Sequence, residues 1–447
     1  MTKTPQLVRV AIPSFNNIAN DTRRRTTGLI GPVGASLFKT MHQEVSPRTN
    51  RTILGIASLM GVSIWAPMIC VPPMEHILKE ELTLTHAQTS LLYTIPILML
   101  IILGIPGGII ADRIGVRKAA GIGIIIIAVG TILRGTATSA PSLVAFTFIY
   151  GVGVGLSFPN LPKLISVWVS KEKATLATGV YSSVTVAGEA LVMATTMPLI
   201  FPLTNTFQGV FYIWSIPPIV TAVLWWVLIR EPPHENIPSE LVSRGNVSFH
   251  QILRNKNLWL AAILFLLFHF LWNGWTAWAP ALMMLKGATA DVAGLIASIS
   301  IWVGIPTVFL MPRLSYTVGL KKPFLWISAI TLALAAWGAI YISIPLSWPF
   351  MALVGVALNT NVPMILALPV EMMSKEEVGT ASGLVLSVGN VGGFIGPLIG
   401  GHIFDLTGSV NPFLLVLVGV SSAAAAIAFR IPETGHRERS ALHSDIL

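Results

Sequence analysis

From Arg51 onward the chain alternates between long apolar runs and short polar turns. Twelve such runs lie near 53–73, 89–111, 119–138, 143–168, 175–203, 208–229, 257–284, 291–312, 323–344, 347–373, 379–403 and 411–430. Each is long enough to cross about 30 Å of hydrocarbon as a helix, so the pattern predicts an all-α integral membrane protein with 12 transmembrane helices. The longest polar interruption, 230–256, opens Arg230-Glu231-Pro232-Pro233-His234 and divides the runs six and six. The expected organisation is a tail over 1–50, a six-helix bundle over 51–229, a linker over 230–256, a second bundle over 257–430 and a tail over 431–447.

The two bundles repeat each other. A shift of 204 residues places Gly115 on Gly319, Arg117-Lys118 on Lys321-Lys322, Gly151 on Gly355 and Pro159 on Pro363. It also places Ser170-Lys171-Glu172 on Ser374-Lys375-Glu376, Gly179 on Gly383, Ser183 on Ser387 and Gly188 on Gly392. Over 151–184 there are 11 identities in 34 positions, several times what unrelated apolar helices share. The chain therefore reads as two similar halves in the same orientation, a parallel repeat.

Composition agrees: 53% of the 447 residues are hydrophobic and 11% charged, where soluble domains carry about a quarter. The net charge of +9 raises the question of nucleic acid, and its distribution answers it. Assigning alternate loops to opposite sides puts 25 of the 28 Lys and Arg on one side, leaving Lys79, Arg134 and Lys286 on the other. That asymmetry places both termini in the cytoplasm of a multi-pass protein of the cell (inner) membrane, and spreads the basic charge over loop ends instead of along a groove. The single Cys70 excludes an intrachain disulfide and any cysteine-based metal site. Residues 1–50, with Arg23-Arg24-Arg25 and two acidic residues, read as a disordered tail without the features of a secretory signal. An organelle transit segment, or a true start at Met41, stays open.

One polar turn stands out. Gly108-Ile-Ile-Ala-Asp112-Arg113-Ile-Gly115-Val116-Arg117-Lys118 joins two membrane-length runs, so it forms a tight hairpin. Gly108 and Gly115 allow the bend and a close approach of helix ends. This pattern resembles the signature loop between helices 2 and 3 of the major facilitator superfamily. The resemblance implies two six-helix halves, no cofactor, and a cytoplasmic gate built on Gly108, Asp112, Arg113, Gly115, Arg117 and Lys118. It further implies that Asp112 faces the N-terminus of a helix in the other half. The basic residues also have the simpler role of setting topology. Val116 stands where the family more often has a basic residue, and Pro312 and Tyr316 make the second copy of the loop degenerate.

A second stretch, Phe158-Pro159-Asn160 continuing through Trp168-Val-Ser-Lys-Glu-Lys173 to Gly179, resembles the helix 4–5 signature of the anion–cation symporter and cyanate and nitrate porter branches. Ser170 and Lys173 depart from it. Helix 11 carries Gly389-Asn390-Val-Gly392-Gly393-Phe-Ile-Gly396-Pro397, common in the same branches and equally suited to close helix packing. The Arg that proton-coupled drug exporters carry in helix 4 corresponds to Thr147, and the two helix arginines of nitrate porters have no counterpart within 91–109 or 293–311.

Ionisable residues within the runs are few, and each is a functional candidate. Glu189 and His269 lie near the middle of helices 5 and 7. A carboxyl held in hydrocarbon favours its neutral form, so Glu189 suits a proton-coupled carrier; a packing role is the alternative for both. Arg134 and Lys163 can attract an anion, or reach an interface by snorkelling. His269, Asn273 and Thr276 recur on one face of helix 7, which by the repeat is equivalent to helices 1, 4 and 10, the cavity-lining helices of the family. Trp65, Trp272, Asn359 (with Thr360 and Asn361) and Asn390 complete the candidate pathway. Trp278 reads as an interfacial-belt residue, and Gly274 and Pro280 as points where helix 7 bends. Without a phosphate-binding glycine loop or a catalytic or metal-ligand cluster, the sequence expects neither ATP use nor enzyme chemistry. It expects a monomeric secondary active transporter of a small organic anion or polar metabolite, driven by protons. An exporter of hydrophobic compounds and a non-transporting membrane sensor are the alternatives.

Overall fold

A computed structural model describes residues 47–169, 171–230, 249–374 and 377–434. The expected tail, most of the 230–256 linker and most of the C-terminal tail lie outside the described residues, as does Ser170. Within the body Arg51–Leu447 the chain folds as helices and turns without a strand among the described residues. The twelve long helices are α1 (Pro47–Ile69), α2 (His86–Ile114), α3 (Val116–Gly135), α4 (Ala140–Ser157), α5 (Lys171–Thr195), α6 (Phe207–Leu228), α7 (Lys256–Leu285), α8 (Ala290–Trp302, continued by Gly304–Val318), α9 (Lys322–Gly338), α10 (Ile344–Met372), α11 (Val378–Thr407) and α12 (Asn411–Arg430).

Local sequence explains where these helices stop and start. Pro72 and Pro73 donate no backbone N–H, so the chain leaves α1, makes one tight turn and resumes as Glu75–Leu82. Thr85 and Gln88 form a reciprocal capping box that starts α2, and Gly115 ends it at φ +90°, a conformation that favours glycine. A short helix, Asn160–Trp168, continues α4 beyond the Phe158-Pro159 break.

Eleven spans among the described residues are long and apolar enough to cross a membrane; α9 is the short one, at 17 residues. The sequence expects this run to reach residue 344. Instead the chain leaves the helix at Gly338, Lys286 donates to the Ile340 carbonyl at 3.1 Å, and Pro345 begins α10. Helix α7 is continuous from Lys256 through Gly274 and Pro280 to Leu285, so the expected bending points are helical in this conformation.

Within the first half α3 packs on α4 and α6, and α2 on α4; within the second α7 packs on α11, and α12 on α9. The two halves meet through α2 against α11 and α5 against α8. The 204-residue repeat converts α2 into α8 and α5 into α11, so these contacts are one contact made twice. The structure is thus a 12-helix, two-half membrane fold. One end carries Arg113, Arg117, Lys118, Lys321, Lys322 and Arg430 and is called the basic end below; the other, carrying Thr85 and Thr407, is the far end.

Candidate functional site

The halves are drawn together at the far end. The Asp405 carboxylate of α11 accepts from the His86 and Ala87 backbone N–H groups at 2.8 and 2.9 Å. A Cβ on Gly401 would lie 2.6 Å from the His86 carbonyl oxygen, and one on Gly294 of α8 2.9 Å from that of Met193 on α5. Deeper in, the buried Tyr93 hydroxyl of α2 donates to Asn273 Oδ1 of α7 at 3.1 Å.

Toward the basic end the α2 face that meets α11 is uncovered, while α5 and α8 stay in touch, a Cβ on Gly179 lying 3.5 Å from Phe309. On α2, Ile102, Ile105, Ile109 and Ile110 are exposed, and a Cβ on Gly108 would meet nothing within 4 Å. The close approach expected of Gly108 is instead made by Gly107, whose Cβ would lie 2.7 Å from the Gly155 carbonyl of α4. This conformation is closed at the far end and, along α2, open at the basic end.

Glu189 lies 18 residues from Lys171, and 15 from Thr204 where the α5 rod ends. Its neighbour Gly188 packs on Val62 of α1. Glu189 is half-buried, no described residue hydrogen-bonds its carboxylate, and the Tyr93 and Tyr150 hydroxyls lie within its electrostatic reach. His269 is likewise half-buried near the middle of α7, edge-on to Phe265 at 4.2 Å, and its Nδ1 has no partner among the described residues. Asn273 bridges the two regions, accepting from Tyr93 and donating through Nδ2 to the His269 carbonyl at 3.0 Å. Thr276 closes the helix face with a bond to the Trp272 carbonyl at 2.8 Å.

Asn390 lies 11 residues from Gly401, three helical turns to within about 20°, so it shares the face that touches α2 at the far end. Asn390 is half-buried. Trp65 is half-buried on α1 and meets Phe158 edge-on at 5.2 Å; Trp272 is half-buried too. Glu189, His269, Asn390, Trp65 and Trp272 are thus the partly exposed mid-helix candidates, and Tyr93 with Asn273 connects the halves.

Other candidates are engaged elsewhere. Arg134 is fully buried and does not snorkel. Its Nη1 donates to the Pro67 carbonyl at 2.5 Å, and its guanidinium lies 4.2 Å from the Phe211 ring and 5.4 Å from Tyr150. Pro67 sits in the last turn of α1, where carbonyls lack helical partners, so Arg134 caps that C-terminus. Lys163 pairs with Asp112, inside the same half. Arg117 donates to the Trp226 carbonyl at 3.1 Å and lies over its ring, tying α3 to the end of α6, while Arg113 and Lys118 are exposed. Asn359 donates to the Gly355 and Ser300 carbonyls and faces α8; Asn361 accepts from Ser328 of α9 at 2.8 Å. Trp278 is buried, donates to the Pro397 carbonyl at 3.1 Å and stacks on Phe404, so the belt position expected of it is wrong. Its N–H finds a partner inside the bundle, the usual fate of a buried indole.

Tyr93, His86, Glu75 and Asp405 were not singled out by sequence. Tyr93 offers one signal, a lone phenol in an apolar run, which when buried seeks a partner. The His86 ring lies between Glu75 (2.6 Å from Nδ1) and Lys79 (2.6 Å from Nε2), with Phe404 of the other half at 4.0 Å.

Known proteins fit this geometry. The chain is 23% identical over 418 residues to the probable sulfoacetate transporter SauU of Cupriavidus necator, covering 85% of this chain and 93% of that protein. It is 25% identical over 391 residues to the 2-nitroimidazole transporter of Escherichia coli, covering 85% and 94%. The fold matches the crystal structure of a D-xylose–proton symporter with a TM-score of 0.72 at 17% identity, over 86% of this chain and 98% of that one. The model of the Major Facilitator Superfamily matches residues 52–289 and 282–444, and with the parallel halves and their paired contacts this establishes that the chain belongs to that superfamily of membrane transporters.

Proposed function

We propose that this protein is a proton-coupled symporter of small polar organic solutes, organic anions among them, and that it works by alternating access. The observation that carries this reading is Glu189: a mid-helix carboxyl, partly accessible, without a hydrogen-bond partner among the described residues, and within electrostatic reach of the tyrosine that joins the halves. Ionised, it repels an anion from the central space; protonated, it does not, and it becomes a donor. An anion then enters only with a proton, and coupling follows from electrostatic exclusion. His269 and Asn390 supply neighbouring polar groups, and Trp65 an aromatic wall. The likeness to the probable sulfoacetate transporter SauU supports the substrate class. The basic end is the cytoplasmic end by the positive-inside rule, so the conformation described opens to the cytoplasm.

Uptake into proteoliposomes under an imposed pH gradient tests this, with sulfoacetate, a hexuronate and cyanate as radiolabelled probes. An inwardly directed proton gradient, acid outside, should accelerate wild-type uptake of at least one probe. Glu189→Gln should remove the response to the gradient while leaving substrate exchange. Gradient-driven uptake unchanged in Glu189→Gln refutes the role of this carboxyl. A second reading is favoured by the surroundings of the two candidate cations: Arg134 is sealed by rings and Lys163 is paired with Asp112. The aromatic pair Trp65–Phe158 would then receive a neutral heteroaromatic solute, the class a relative transports. Competition by 2-nitroimidazole without competition by anions selects it.

A further inference from the structure

At the far end, away from the central candidates, three titratable side chains of the first half meet two aromatic rings of the second. The chain turns at Pro72–Met74 and runs as the short helix Glu75–Leu82, on which Glu75 and Lys79 lie one turn apart and both reach His86 at the start of α2. Glu75 Oε1 is 2.6 Å from His86 Nδ1, and Lys79 Nζ is 2.6 Å from His86 Nε2. An ammonium donates and never accepts, so Nε2 is the acceptor and the ring proton sits on Nδ1, donated to Glu75. The Thr89 hydroxyl reaches the same carboxylate oxygen at 3.3 Å. The ring held between these two ions is therefore a neutral imidazole. The His86 and Glu75 side chains are 10% and 13% exposed, so both stay within reach of water.

The second half supplies the rest of the surroundings. Phe404 of α11 lies 4.0 Å from the His86 ring, Trp278 of α7 lies 5.8 Å from it, and Asp405 accepts from the His86 backbone N–H. The other titratable groups nearby are half-buried His76 and exposed Glu80 and Glu81 on the short helix, and exposed His402 on α11. Helix α7 brings Lys286, which is bonded to the Ile340 carbonyl. Helices α3 and α4 bring Arg134 and Tyr150, committed to the Pro67 and Ile64 carbonyls. A proton on Nε2 shifts the balance among these partners. It sets a second cation against Lys79, which turns away to solvent, and so removes a bond internal to the first half. It makes the Glu75 contact an ion pair. It also turns both ring contacts into cation–π contacts, which act within about 6 Å, and places a positive ring beside the Asp405 carboxylate. The bond lost lies within one half, and the attractions gained with Phe404, Trp278 and Asp405 join the two.

We propose that His86 is a proton-binding site on the outer face of the protein and works as a latch: protonated from outside, it holds the far end shut. The protonated ring meets Phe404, Trp278 and Asp405 only where the halves touch, so its extra attraction stabilises one conformation and biases the two-state equilibrium. An acid medium outside then favours the cytoplasm-open form, a control separate from any proton carried with the substrate. The inference rests on the alternating-access reading and is independent of Glu189 and of the substrate.

The test is the distance distribution between spin labels on the full-length protein in substrate-free nanodiscs, introduced by Thr138→Cys and Asn411→Cys in a Cys70→Ser background. Both label sites are exposed at the far end, one in each half and neither in the cluster. Between about pH 8 and pH 5, the range in which imidazole titrates, the ratio of far-end-closed to far-end-open molecules should rise about fivefold, the effect of one cation–π contact. His86→Gln should hold the ratio constant. His76→Gln and Glu189→Gln should leave the rise intact, and Phe404→Leu, which keeps an apolar side chain without a ring, should shrink it. No rise in the wild type, a rise that survives in His86→Gln, or a rise lost in Glu189→Gln overturns the proposal. If His86→Gln does not fold, Phe404→Leu decides, and an undiminished rise there is equally fatal. Because no substrate or gradient is present, failure of Glu189 in the flux assay leaves this result unaffected.

Discussion

Replacing Gly401 by alanine should open the far end by sterics alone. The added Cβ would stand 2.6 Å from the His86 carbonyl oxygen and 2.8 Å from the Ala87 N and Cα atoms, whereas ordinary van der Waals contact begins at 3.4 Å. All three are backbone atoms of α2, so no rotamer change relieves the overlap; the helices must separate by about 0.6–0.8 Å, by difference from those distances. Overpacking a well-fitted contact by one methyl costs about 1–3 kcal/mol. The clash exists only where α11 meets α2 in the far-end-closed form, so that energy acts as a bias between conformations. It corresponds to roughly a 5- to 150-fold shift toward the far-end-open form. Distances between spin labels introduced by Glu81→Cys and Asn411→Cys in a Cys70→Ser background read the shift, and labelling of a far-end cysteine by a membrane-impermeant maleimide should quicken in parallel. Wild-type distances and labelling rates in Gly401→Ala would refute the inference that this contact closes the far end.

Gly392→Ala offers the contrast. Its Cβ would overlap the Leu266 carbonyl of α7, a contact inside one half that both conformations keep. It should lower the melting temperature of the purified protein, by about 1–3 kcal/mol of destabilisation, and leave the distance distribution unbiased. Arg134→Ala should also lower the melting temperature, by about 2–4 kcal/mol, because it empties a buried site and strips the Pro67 carbonyl of its donor; Arg134→Met, which keeps the volume, should lose less. Neither Arg134 variant should raise KM for an anion, whereas a substrate-binding arginine would raise it strongly. Reversing the exposed pair, Asp112→Lys with Lys163→Asp, should restore this contact yet leave transport impaired, since the signature loop's resemblance implies a gate role for the carboxylate at position 112 itself; full activity of the swap sinks that expectation.

How much of this was legible in the chain differs by level. Twelve membrane-length runs, the six-and-six division and the repeat follow from hydrophobic length and periodicity, because in hydrocarbon a backbone can satisfy its polar groups only as continuous helix or closed barrel. Glu189 and His269 stood out for a related reason: an ionisable group in an apolar run is costly enough to be conspicuous. Sequence could not say which neighbour a polar side chain meets. Arg134 and Lys163 carry the charge an anion site needs, yet one caps α1 and the other holds Asp112, and both partners come from distant segments. Trp278 has the spacing of a belt residue and is buried because α11 offers it the Pro397 carbonyl. Asp405 looked like an ordinary residue at a helix end; it gains its role only because α11 lies antiparallel to α2, which places its carboxylate on the N–H groups of a helix more than 300 residues away. Length, periodicity and charge are properties of one segment and can be read from it. A cap, a latch or a shared hydrogen bond belongs to two segments, and only the packing of the helices decides which two.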